Sequence, residues 1–160
     1  YFANVLGLDM GMFYKRRDYS TIVNGRNPII AHEYLGNPVE GKDVFVADDI
    51  ISSGESMLDL AYNLKKKKAD RIFTYATYAI FTSGLEKFDK AYEEGVISGV
   101  FGTNLTYRSP ELLSRPWFHE VDVSKYIAYF IEAINHDVSM GKIIDPHEKI
   151  ENLLKKYGMK

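Results

Sequence analysis

The chain has 160 residues, 46% of them hydrophobic, and a formal net charge of −2. That is enough for one globular domain burying roughly two-thirds of its unfolded surface, and the near-neutral balance gives no broad electrostatic reason to bind nucleic acid. Cysteine is absent, which excludes a disulfide framework and a thiolate metal site and points to the cytoplasm.

The opening "YFANVLG" (1–7) reads as the last turns of a helix ending at Gly7. The beginning of such a helix lies outside the sequence, so the chain is expected to be a piece of a longer protein. The start lacks the basic-then-apolar layout of a signal peptide, and the longest apolar runs fall far short of a membrane span. Apolar runs at 9–14, 28–35, 44–47, 71–80 and 96–101 read as strands. Several are continuous rather than alternating, as in buried strands of a parallel sheet.

Helical patterns lie between and after them. Met57, Leu58, Ala61 and Leu64 repeat on one face, and Ile127, Phe130, Ile131, Ile134 and Val138 on another. The tail, 145–158, has Asp145 as N-cap, Pro146 at the first helical position and Gly158 as a stop. The order predicts an α/β fold, a mostly parallel sheet flanked by helices.

The stretch "DVFVADDIISSGES" (43–56) carries the chemistry. A buried strand, 44–47, would deliver Asp48 and Asp49 to its carboxyl end, where open α/β sheets bind ligands. A short loop would then turn into a helix near Ser56. Ser52, Ser53, Gly54 and Ser56 are small residues whose N–H groups and hydroxyls can surround an anion at a helix N-terminus. The two carboxylates could accept hydrogen bonds from a vicinal diol or hold a divalent cation. Phosphate on one side and hydroxyls on the other describe a sugar phosphate. The alternative is plain capping and turn chemistry.

The remaining features point elsewhere. The four histidines, His32, His119, His136 and His147, have no metal-ligand spacing. "KKKK" (65–68) reads as a solvated helix end, Tyr75, Tyr78 and Phe81 as core, and Trp117 as an anchor of the last strand.

"VFVADDIISSGES" resembles the phosphoribosyl-diphosphate (PRPP) fingerprint of type I phosphoribosyltransferases and PRPP synthetases. "GLDMGMFYKRRDY" (7–19) resembles the strand and Lys-Arg-Arg opening of the flexible catalytic loop in the ribose-phosphate pyrophosphokinase family. The likeness continues in order through "GNPVEGKDVFVADD" (36–49), "TYATYAIFTSG" (74–84), "GVFGTNL" (99–105) and "VDVSKYIAYFIEAINHDVSMGKI" (121–143). It covers most of the chain, and the match is to the C-terminal half of a two-domain enzyme. The resemblance implies a type I phosphoribosyltransferase fold over residues 1–160. It also implies a homo-oligomer, and a reaction with Mg²⁺ that transfers a diphosphoryl group from ATP to O1 of ribose 5-phosphate, giving PRPP and AMP.

Site residues carried over from the resemblance fall in three groups. Asp48 and Asp49 would contact the ribose hydroxyls, directly or through magnesium. Ser52, Ser53, Gly54, Glu55 and Ser56 would hold the 5-phosphate. Lys15 and Arg17, with Arg16 beside them, would be the catalytic-loop cations, suited to the charge spread over phosphoryl oxygens. The common family loop reads Asp-Thr-x-Gly-Thr, so its Asp is Ser52 here and its Gly is Glu55. Glu55 is expected to point away from the anion. A histidine of the family is Tyr78. Two other readings stand beside the synthetase: a salvage phosphoribosyltransferase that consumes PRPP, and a non-catalytic regulator that binds a sugar phosphate or a partner.

Overall fold

The computed structural model describes residues 1–17 and 29–158, with backbone alone at 15–17, 29–33 and 142. In chain order the elements are α1 (Phe2–Leu6), β1 (Met12–Arg17), β2 (Ile29–Leu35), β3 (Val44–Ile51), α2 (Glu55–Lys66), β4 (Ile72–Ala79), α3 (Glu86–Glu93), β5 (Gly99–Thr103), α4 (Pro110–Leu113), β6 (Phe118–Val121), α5 (Ser124–Asn135), α6 (Gly141–Ile144) and α7 (His147–Lys156). They fall into two units, residues 9–121 and residues 1–8 with 122–160.

In the first unit β3, β4, β5 and β6 form a parallel sheet in that order, and β1 and β2 form a separate antiparallel pair. Parallel neighbours need crossover connections, which α2, α3 and α4 supply. This is the α/β arrangement that the alternation of strand and helix patterns predicts. Helix α2 buries Met57, Leu58, Ala61 and Leu64, the four residues of its predicted face. They join Ile72 and Ala76 of β4, Phe88 and Ala91 of α3, Leu112 of α4 and Trp117 in one core.

Aromatic rings pack together within that core. Phe81 meets Phe88 edge-on with centroids 5.0 Å apart, and Phe88 stacks on Trp117 at 5.5 Å. Each such ring contributes about 1.5–3 kcal/mol by leaving water. The indole N–H of Trp117 is satisfied, donating to Asp89 Oδ1 at 2.7 Å, and Arg115 holds the same carboxylate. Trp117 thus anchors the entry to β6, as expected. The opposite sheet face carries a second aromatic row, with Phe45 beside Tyr75 and Phe101 against His119.

Several sequence readings need correction. β3 extends through Asp48 and Asp49 to Ile51 because pairing with β4 continues to Ala79. It is an edge strand rather than a buried one, and Phe45 is 60% exposed. β5 starts at Gly99, since Val96 and Ile97 pack into the core from the turn before it, without strand pairing. Of the three aromatic residues expected in the core, Tyr78 of β4 is exposed and Tyr75 is half-buried, whereas Phe81 is buried.

In the second unit α1 ends at Gly7, whose φ of 65° is the left-handed conformation that suits glycine. Helix α5 buries Ala133, but Ile131 and Ile134 are exposed, and Val138 lies beyond the helix end, so the long apolar face is not a core face within this unit. Before α7, Asp145 Oδ1 accepts the His147 N–H at 3.0 Å, with Pro146 as the N-cap residue itself. Lys149 of α7 sits over the Tyr126 ring of α5. No helix among the described residues is long and apolar enough to cross a membrane.

Candidate functional site

The segment 48–56 runs from the carboxyl half of β3 into α2. Its shape is fixed from below. Ile51 is buried, and its carbonyl accepts the Ile80 N–H at 2.9 Å, while the Ser52 carbonyl accepts the Thr82 N–H at 2.9 Å. The turn after β4 therefore holds the loop in register. Phe81, in that turn, has φ 52°, a strained value for a bulky residue that the surrounding rings fix.

Gly54 is the N-cap of α2 with φ 81°, and its carbonyl accepts the Leu58 N–H at 2.9 Å. A side chain here would be strained and would also collide with Phe88. Glycine is required by both the backbone and the packing. The first N–H groups of a helix have no carbonyl one turn back to bond, and a glycine N-cap brings no side chain to cover them. Ser52 and Ser56 are exposed and Ser53 is half-buried. Ser53 Oγ lies 3.5 Å from the Glu55 N–H, at the outer limit of a hydrogen bond. The arrangement is a ring of small residues around a helix N-terminus, where an anion is favoured.

Asp48 and Asp49 are both exposed. Asp48 Oδ1 accepts the Asp49 N–H at 2.8 Å, which leaves its second oxygen and the Asp49 carboxylate for a ligand. Among the described residues no cluster of three or more metal-ligating side chains exists. Two carboxylates nevertheless suit Mg²⁺, which takes one or two from protein and the rest from water and substrate oxygens.

Glu55 turns outward, as expected. Its Oε1 lies 2.6 Å from Lys87 Nζ at the start of α3, and the ammonium's hydrogen bond holds the carboxyl below its ordinary pKa. The pair borders an open groove of about 360 Å³, which Leu58, Asp59, Tyr62 and Lys90 complete. Lys87 and Phe88 are the residues that sequence reasoning missed. They lie more than thirty positions beyond the loop, and no local pattern ties "EKF" to it.

Lys15, Arg16 and Arg17 fall on β1, where Lys15 pairs with His32, and the register shifts between Arg16 and Arg17. Their side chains lie outside the described residues.

An edge strand bearing paired acids, then a small-residue turn into a helix, on a parallel sheet, places the chain in the α/β class. Residues 21–145 match the phosphoribosyl synthetase-associated domain, and the chain belongs to that family. Among curated relatives, the ribose-phosphate pyrophosphokinase of Pyrococcus furiosus is 33% identical over 115 residues, covering 70% of this chain and 39% of its own. That of Thermococcus kodakarensis is 36% identical over 69% of this chain and 38% of its own. The Vibrio cholerae enzyme is 28% identical over 89% of this chain and 43% of its own. The chain thus spans about two-fifths of the length of these relatives. A phosphoribosylpyrophosphate synthetase from Mycobacterium smegmatis shares the fold, with TM-score 0.58 at 20% identity over 67% of this chain and 34% of that one.

Proposed function

We propose that this chain is the ribose 5-phosphate- and PRPP-binding domain of a ribose-phosphate diphosphokinase. The observation that carries the reading is the 48–56 segment, in a chain whose curated relatives are ribose-phosphate pyrophosphokinases. In this reading the N-terminus of α2, with Ser52, Ser53, Gly54 and Ser56, takes the 5-phosphate, and Asp48 and Asp49 accept hydrogen bonds from the ribose hydroxyls. The sugar is then held at both ends, which fixes O1 for attack on the β-phosphorus of ATP with AMP as the leaving group. Positioning of this kind is the main contribution a protein makes to phosphoryl transfer.

Mg²⁺, held by Asp48 or Asp49 together with substrate oxygens, would offset phosphate charge. Lys15 and Arg17 would stabilise the charge that spreads over the transferred group. A cytoplasmic setting and a homo-oligomer belong to the same proposal. So does a whole enzyme longer than this chain, which alone would bind the sugar phosphate but not turn over.

The substitutions at Ser52 and Glu55 favour a second reading, a non-catalytic relative that binds the sugar phosphate without chemistry. Incubation of the full-length protein with ribose 5-phosphate, ATP and Mg²⁺ separates the readings. AMP and PRPP formation identifies the synthetase. Binding without either product identifies the regulator, and a parallel incubation with PRPP and a nucleobase that consumes the PRPP identifies a salvage enzyme.

A further inference from the structure

Glu55 stands in the first turn of α2, where a carboxylate is attracted to the helix N-terminus for the same reason that phosphate is. A glutamate side chain on this turn is long and flexible. Left without a partner, it would fold back over the loop and compete with any bound anion, by occupying the donors and by charge repulsion. In the structure it does neither, because Lys87 Nζ takes its Oε1 at 2.6 Å on the groove side of α2. Both side chains are more than half exposed, so the pair adds little to folding stability. Its evident effect is on where the carboxylate points. Lys87 is itself held in place, since the next residue of α3, Phe88, is fully buried under Gly54. The helix turn that packs beneath the loop therefore also presents the ammonium.

We propose that Lys87 is a positioning residue that draws the Glu55 carboxylate away from the 52–56 loop and so keeps the loop open to the 5-phosphate. The inference rests on the ribose 5-phosphate reading given above. It explains how a loop carrying an acidic residue remains an anion site.

The test is a double-mutant cycle read by calorimetric titration of the intact protein with ribose 5-phosphate. Lys87→Ala should weaken binding about fivefold, the scale of a carboxylate at a helix N-terminus. In a Glu55→Gln background the same Lys87→Ala change should have no further effect, because no carboxylate remains to be restrained. Lys87→Arg should retain wild-type affinity. Melting temperatures should agree across the set, which separates positioning from loss of structure. An equal loss in the wild-type and Glu55→Gln backgrounds would show that Lys87 attracts the phosphate directly and would overturn the proposal, as would no loss in either. If the unaltered protein does not bind ribose 5-phosphate, the functional reading itself falls, and this role with it.

Discussion

The ring of Phe88 occupies the space that a side chain on Gly54 would need. A Cβ built there would lie 2.2 Å from Phe88 Cε2, and the backbone at 54 has φ 81°. Gly54→Ala is therefore expected to cost about 1–3 kcal/mol, combining a left-handed backbone with overpacking. Urea unfolding measures the loss, and affinity for ribose 5-phosphate should fall with it as the turn shifts. Wild-type stability in the variant would mean that the ring moves aside freely.

Exchange of Asp48 and Asp49 for Asn, singly and together, should weaken ribose 5-phosphate binding without lowering the melting temperature, since both side chains are exposed. Replacing Ser53 and Ser56 by Ala should cost on the order of 1–3 kcal/mol of affinity for the phosphorylated sugar, the range for hydrogen bonds to charged groups. Unphosphorylated ribose should feel the aspartate changes and not the serine ones. Titrations with both sugars resolve the two ends of the site, and equal losses for both would contradict the assignment.

Thr74 is fully buried in β4, and its Oγ1 has no hydrogen-bond partner among the described residues. Its neighbours in register are Val46 and Val100. Thr74→Val keeps the shape and removes the unsatisfied hydroxyl, so it should stabilise the protein by about 1 kcal/mol. Chemical denaturation checks this, and a destabilised variant would reveal a partner for the hydroxyl.

At the other end of the parallel sheet, Arg71 grips Asp43 with two nitrogens, Nε to Oδ1 at 3.0 Å and Nη2 to Oδ2. The guanidinium's hydrogen bonds hold the Asp43 carboxyl below its ordinary value of 3.8. A carboxyl with a depressed folded pKa stabilises the fold above the unfolded value and loses that contribution as pH falls through the folded one. The stabilisation should therefore be present at neutral pH and disappear below 3.8, with Arg71→Ala raising the Asp43 pKa toward that figure. NMR titration of the Asp43 carboxyl follows the shift, and an unmoved pKa would show that the pair is not formed in solution.

Much of this was legible in the chain. The apolar spacing of Met57, Leu58, Ala61 and Leu64 identified the buried face of α2, because helical periodicity is a local property. Gly7 ended α1 for the same local reason. What failed depended on neighbours distant in sequence. The acids at 48 and 49 looked like a strand terminus, yet pairing with β4 carries the strand past them to Ile51. "VFVA" looked buried, but only the sheet order shows that β3 has an open side. Ile131 and Ile134 of α5 looked like core, and periodicity alone cannot say what covers such a face. The candidate loop was visible as small residues before a helix, whereas its supports, Phe88 and Lys87, become neighbours only when α3 packs against α2.

The carbonyls of Ile51 and Ser52 are pinned by the turn after β4, and Gly54 rests on a ring that Trp117 and Phe81 hold in place. The template for the loop is thus in the interior, while the groups that would meet a ligand hang on its outer rim. Changes at exposed positions such as 52 and 55 alter the rim and leave the template intact. A sugar phosphate arriving here would meet a receptor already cast, and little of its binding energy would go into ordering the chain.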